Sequence, residues 1–374
     1  MAVGIAMAVF VWAGKAQADL ARDMVRCVQN QLTDLGADPG PADGSIGPRT
    51  RQAAQEVLQS HPLRSLLGDM PRLDRYAAVT WCRELPRLSR ETGRHRPFLA
   101  EQVYAVEGDA TGAQRDLLDR TVNNVTNFFR GRHGVQIISR LEIAAASDDA
   151  TILRLLEQLP TRGPRMRESA VRWTKMACGR DRVITGFAMG NVLLFCWPGT
   201  ERFDDAWSDS LALRLGRVMV HEMTHILQSE LSHEILPQPG RSAHQSNRGP
   251  DWLVEGAAEV LADQYIGIRR GEPFARAFRF DLTNDTPLRD LHKNLSVATK
   301  RAYGVANLAV LVLARRHGYP ALFEYWREIG RSRSTDTAFE HAFGITLAAY
   351  EKTFEALRDD PAALLAYADG EDAG

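Results

Sequence analysis

The chain lacks an excess of either charge: 46 Lys and Arg stand against 47 Asp and Glu, for a formal net charge of -1. No long-range positive field exists to hold a nucleic acid or an anionic bilayer, so neither is expected as a partner. Long apolar runs are lacking too. Met1–Gly14 falls short of the about twenty residues that span a bilayer, and no later stretch does better, so no integral membrane segment is expected in the mature chain. Cysteine is scarce, at four, and none of the four lies in a CxxC pair or a Cys/His knuckle, which excludes a thiolate metal site and a dithiol redox centre. Repeats and low-complexity tracts are absent, which argues against a solenoid.

What is present is ordinary globular composition, 44% hydrophobic and 25% charged over 374 residues, enough for two or three domains with a real core. The apolar start followed by Ala16-Gln17-Ala18 before Asp19 has the small-x-small pattern that signal peptidase cuts, although no Lys or Arg precedes it. Residues 1–18 are therefore expected to be a signal peptide cleaved after Ala18, which makes the mature protein periplasmic or secreted. Without a Cys after the cut, no lipid anchor is indicated. Export permits disulfides, and the cysteines fall as two couples, Cys27 with Cys82 and Cys178 with Cys196. That is the favoured one of three pairings, with small buried thiols as the alternative.

Helical spacing over Ala21–Leu35 and Arg49–Gln59, broken by Gly and Pro, marks a small helical domain over residues 19–90. The polar stretch before Pro97 reads as the start of a linker over residues 91–113. A second domain, residues 114–362, begins with a helix over Gln114–Arg130 and a β-rich run over Val135–Ala145. Val183–Met189 and Val192–Trp197 flank Gly190-Asn191 and read as a hairpin. Trp207–Leu231, Lys300–His317, Tyr319–Ile329 and Thr335–Ala342 read as helices. Residues 363–374 are small and acidic and read as a frayed tail. The fold class expected is α+β and helix-rich, with a three-helix N-terminal domain, a short antiparallel or mixed sheet, and a helical C-terminal part.

Within the helix over Leu211–Leu231 stands His221-Glu222-Met223-Thr224-His225. Residues four apart share a helix face, so two imidazoles can grip one ion. Glu222 lies about a hundred degrees around the helix, where it can reach a water on the metal but not serve as a third ligand. A later segment, Trp252-Leu253-Val254-Glu255-Gly256-Ala257-Ala258-Glu259, carries a candidate third ligand.

Together these segments resemble the gluzincin zinc peptidases of the peptidase-MA-like type, whose second helix reads W-L-x-E-G-x-A-E. The resemblance implies a zincin-like domain, Zn2+ held by His221, His225 and Glu255, Glu222 as general base, and Glu259 as the acidic partner that hydrogen-bonds a ligating His. It further implies a Tyr or His donor to the oxyanion. Tyr303 is the candidate and His292 the competitor, while packing of Tyr303 against Ala306 or Val310 is the plain alternative. A metzincin would need glycine at position 228 and histidine at position 231, where Gln228 and Leu231 stand. The gluzincin edge strand corresponds to Val183–Trp197. In the aminopeptidases of the group it carries G-A-M-E-N, but Phe187-Ala188-Met189-Gly190-Asn191 lacks the glutamate for a free amine, which favours cleavage within a chain.

The run from Leu35-Gly36 through Asp43-Gly44, Gly47-Pro48 and Thr50 resembles the three-helix peptidoglycan-binding domain. Its implied ligand is the cell wall, with Asp43, Ser45 and Arg49 as the polar residues around the loop, and Thr50 is read as a helix-start residue. The function expected is an exported zinc-dependent endopeptidase acting on a peptide or protein substrate, directed to peptidoglycan by the N-terminal domain. The alternative is a non-catalytic wall-binding or assembly factor built on a zincin-like scaffold.

Overall fold

The computed structural model describes residues 21–61, 67, 70–86, 88, 102–106, 112–159, 168, 170–173, 178, 184–197, 205–232, 248–270, 286–293, 300–332 and 334–371. The signal segment 1–18 lies outside them. The architecture is α+β and helix-rich, as expected. No helix of the described residues is long and apolar enough to cross a membrane.

Among the described residues the chain begins with the helices α1 (21–34), α2 (Pro48–Ser60) and α3 (Ala78–Glu84). Met24, Val28 and Leu32 of α1 pack with Ala53 and Val57 of α2 and Trp81 of α3 in a core of their own, which Ile138 of the following domain also enters. A disulfide between Cys27 and Cys82, with Cα atoms 5.5 Å apart, ties α1 to α3. The loop before α2 is held from inside: the buried Gln29 donates to Asp43 Oδ1 at 3.1 Å and accepts from the Gly44 amide at 3.0 Å. One sequence expectation changes here. Thr50 is no helix cap, since Gly47 occupies that place ahead of Pro48 and the Thr50 hydroxyl donates to the Pro39 carbonyl at 3.0 Å. Asp43 accepts through Oδ1 from Gln29 at 3.1 Å and from the Ser45 amide at 2.8 Å while its side chain stays exposed.

The second domain is built on a four-stranded mixed sheet in the order β1-β2-β4-β3. Its strands are β1 (Gln102–Val106), β2 (Leu141–Ala146), β3 (Thr185–Met189) and β4 (Val192–Cys196). β1, β2 and β4 are mutually parallel, and β3 runs antiparallel along β4 as an edge, joined to it by the Gly190-Asn191 turn in which Gly190 has φ 62°. Residues 102–106 therefore belong to the sheet and not to a linker. Five residues with half-buried sides carry too little hydrophobic pattern to announce a strand. The second disulfide, Cys178 to Cys196, closes the end of β4 with Cα atoms 5.4 Å apart, so both expected pairs are formed.

One face of the sheet carries α5 (Asp149–Leu156), and the other packs under α4 (Gly112–His133) and α6 (Asp205–Leu231). α7 (Asp251–Arg270), α8 (Lys300–His317), α9 (Tyr319–Ser332), α10 (Thr335–Phe343), α11 (Leu347–Leu357) and α12 (Pro361–Ala368) complete the body. α12 corrects the frayed tail. Asp360 caps it from two backbone amides ahead of Pro361, Leu364 and Tyr367 are buried, and Arg315 grips Asp369 at 2.8 Å. The small, acidic composition concealed a capped helix with an apolar face.

The β-rich run after α4 becomes strand only from Leu141, because a buried carboxylate holds the residues before it. Glu230, near the end of α6 and 0% exposed, accepts from the Ile138 and Ser139 amides at 3.2 and 2.8 Å. It also pairs with Arg83 of the N-terminal domain, whose side chain is 8% exposed. Both charges are out of water, so removing one strands the other. Arg83→Ala is expected to lower the free energy of unfolding by about 3–5 kcal/mol in urea titrations.

His133, at the end of α4, is enclosed by the rings of Phe128, Phe323 and Tyr319, with centroids at 4.9, 5.4 and 5.7 Å. Burial pushes its pKa down from the ordinary 6.5 to about 4. Between those values the unfolded chain takes up a proton that the folded chain refuses, so this residue makes stability fall as pH drops from 6.5 to about 4. Unfolding measured against pH should lose about 3 kcal/mol more in the wild type than in His133→Gln over that window.

Candidate metal and catalytic site

α6 places its apolar residues Met219, Val220, Met223, Ile226 and Leu227 in the core, all essentially fully buried. His221 and His225 project from the remaining face, one turn apart. α7 runs against this face, and Glu255 comes from its second turn. The three donor atoms converge: His221 Nε2 lies 3.2 Å from His225 Nε2, and Glu255 Oε2 lies 3.4 and 3.5 Å from the two. Among the described residues this is the one His/Cys/Asp/Glu group with ligand atoms clustered closely enough to share a cation.

These spacings fit a tetrahedral ion. Bonds of about 2.0–2.1 Å at tetrahedral angles put neighbouring donors about 3.3 Å apart. The hydrogen bonds behind the donors agree. His221 Nδ1 faces Glu259 Oε1 at 3.1 Å, and His225 Nδ1 faces Gln228 Oε1 at 2.9 Å. The Gln228 amide cannot turn over without losing its own bond, since its Nε2 donates to the Val254 carbonyl at 2.8 Å. Both Nδ1 atoms therefore meet acceptors and carry the protons, which turns both Nε2 lone pairs and a carboxylate oxygen on one point. Three acceptors facing one another call for a positive charge between them, and side chains of this kind suit zinc.

The electrostatics carry the same sign. Burial opposes a charged His221, but the hydrogen bonds that its protonated ring donates to Glu255 and Glu259 outweigh it and hold its pKa well above the ordinary value. Burial likewise opposes an ionised Glu255, and His225 and His221 overcome it, keeping the carboxyl well below the usual range. Glu259, pushed up by burial but pulled down by His221 and Arg217, ends at about 2.

Glu222, one residue along from His221, is 8% exposed and turns toward the edge strand. Burial raises its pKa, against the pull of His221 and His225, and the Ala188 backbone amide of β3 donates to it. β3 approaches this closely only because position 186 is glycine: a Cβ there would lie 2.6 Å from Val218 Cγ1 and 2.7 Å from Glu222 Cγ. Asn191, aligned above with the turn of the aminopeptidase motif, is buried and donates to the Arg140 carbonyl at 2.6 Å, a structural task.

Gly256 does for α8 what Gly186 does for β3. A Cβ on it would meet the Ala306 carbonyl oxygen at 2.4 Å, so glycine beside Glu255 lets the α8 backbone touch α7. Tyr303 rides on α8, half-buried against the main core. Burial raises the pKa of its phenol, and the charges of Glu255, Glu259 and Glu222 raise it further, which keeps it a proton donor beside the cluster. His292 is committed elsewhere: its Nε2 pairs with Glu351, which also accepts from Trp252 Nε1 at 3.0 Å.

The structure brings His221, His225 and Glu255 together with Glu222 and Glu259 beside them, and it adds two neighbouring side chains that the sequence reading does not single out as part of the site. Gln228 entered only as evidence against another spacing, although its place three residues after His225 puts it on the same helix face. Arg217, one turn before His221, pairs with Glu259 and lies 3.0 Å from Asp263. Compared with protein-family models, curated proteins and solved structures, the chain matches none of them.

Proposed function

We propose that the protein is an exported zinc metallopeptidase of the gluzincin type that hydrolyses peptide amide bonds, with endopeptidase action favoured. The observation that carries this reading is the convergence of His221 Nε2, His225 Nε2 and Glu255 Oε2 within 3.5 Å of one another, one residue from a buried carboxylate. Three protein donors leave a fourth tetrahedral position open, the arrangement of catalytic rather than structural zinc. Zinc held there would supply Lewis acidity, polarising a carbonyl and making water more nucleophilic near neutral pH.

The chain's own residues do the rest. Glu222, with its basicity raised by burial, accepts a proton from the attacking water and returns it to the departing amine nitrogen. The Tyr303 hydroxyl, kept protonated, donates to the carbonyl oxygen as negative charge develops on it. Glu259 and Gln228 hold the two imidazoles in one tautomer throughout. Two disulfides are consistent with an oxidising compartment. The N-terminal domain, with its own core and its tight loop before α2, directs the enzyme to peptidoglycan in this reading and so raises its effective concentration at the wall.

The test is hydrolysis of casein and of muropeptides by the zinc-loaded full chain, with co-sedimentation on purified sacculi. The reading expects amide cleavage that a chelator abolishes and added zinc restores, and retention on sacculi. Cleavage indifferent to chelation, or none on either substrate, would overturn it.

A further inference from the structure

The acidic stripe on α7 does not end with Glu259. Glu255, Glu259 and Asp263 follow one another at four-residue intervals on one face, and each carboxylate meets a side chain of α6: Glu255 faces His221 and His225, Glu259 faces His221 and Arg217, and Asp263 faces Arg217. Arg217 binds the last two together. Its Nη2 pairs with Glu259 Oε2 and lies 3.0 Å from Asp263 Oδ1, while its Nε donates to the same Asp263 oxygen at 3.1 Å. From α8, Asn307 Nδ2 donates to Asp263 Oδ2 at 3.1 Å.

One oxygen of Glu259 thus faces His221 and the other faces Arg217. A carboxylate clamped at both oxygens has one rotamer and one orientation, and it passes that orientation to the imidazole. The guanidinium also shares the Glu259 charge, setting how much of it reaches His221. Removing Arg217 would leave Glu259 and Asp263 as two neighbouring carboxylates with no cation between them.

We propose that Arg217, fixed by Asp263 and Asn307, is a positioning residue that aligns His221 through Glu259 and sets the affinity of the site for its metal. This rests on the reading that His221, His225 and Glu255 hold a divalent cation. The chain of contacts spans three helices, from Asn307 on α8 through Asp263 on α7 and Arg217 on α6 to Glu259 and His221.

The test uses the full chain. Zinc affinity is measured by competition with a chromophoric chelator for the wild type, Arg217→Met, Arg217→Lys and Asp263→Asn, and visible absorption spectra are recorded after cobalt substitution. Loss of such an outer partner costs about 10–100-fold in metal affinity, and Arg217→Met is expected to fall in that range with altered cobalt bands. Arg217→Lys should recover part of the loss, because the charge returns without the planar fork. Asp263→Asn should show a smaller loss in the same direction, and it carries the test if Arg217→Met fails to fold. Wild-type zinc affinity and unchanged cobalt bands in Arg217→Met, or in Asp263→Asn where it carries the test, would overturn the proposal. A wild-type protein that binds no zinc would instead overturn the metal reading beneath it.

Discussion

Glu222→Gln is expected to bind zinc as the wild type does and to lose about 10²–10⁴-fold in kcat/KM, the range that a positioned general base contributes. The two side chains have nearly the same shape, and the amide oxygen can still accept from the Ala188 backbone. What disappears, in the reaction proposed, is the ability to take a proton from water and deliver it to the leaving nitrogen. Stability should hold or rise, since a carboxylate 8% exposed becomes a neutral amide and the desolvation penalty goes with it. Parallel zinc titrations and progress curves on one peptide substrate make the measurement. Wild-type turnover in this variant would remove Glu222 from the chemistry, and full biological function with no turnover would favour the scaffold reading.

The second large effect concerns the ligands. His225→Ala removes one of the three proposed donors, and its zinc affinity should fall by more than the about 10–100-fold that outer partners carry. Zinc that binds only the folded chain stabilises it by about 2.7 kcal/mol at a free concentration one hundred times the dissociation constant. The wild type should therefore melt higher with zinc, and His225→Ala should show little or none of that rise at the same concentration. Gln228 keeps its bond to the Val254 carbonyl in the variant, so the fold around the gap has no other reason to collapse. Equal zinc-dependent shifts in both proteins would place the ion elsewhere.

Much of the site is written in the sequence because it depends on short intervals along single helices. His221 and His225 must share a face at four residues, and Glu255 and Glu259 must do so as well, wherever α6 and α7 end up. What the sequence conceals is set between elements. The pairing of Arg217 with Glu259 and Asp263 becomes visible only when α6 lies along α7. Gly186 and Gly256 look like breaks in a strand and a helix, yet each is the point where a neighbouring element presses within contact of the site. β1 is legible only through its pairing with β2, and the last helix only through the cap at Asp360 and the partners of Arg315 and Tyr367. The buried Arg83 to Glu230 pair likewise joins two domains across a long stretch of chain, at a position where a lone arginine reads as surface.

The most direct measurement is the anomalous difference density of zinc-loaded crystals collected across the zinc edge. The account predicts one peak at about 2.0–2.1 Å from His221 Nε2, His225 Nε2 and a Glu255 carboxylate oxygen, with nothing from the protein at the fourth corner. A zinc-replete crystal with no peak between those three side chains, or a peak held by a fourth protein ligand, would contradict it.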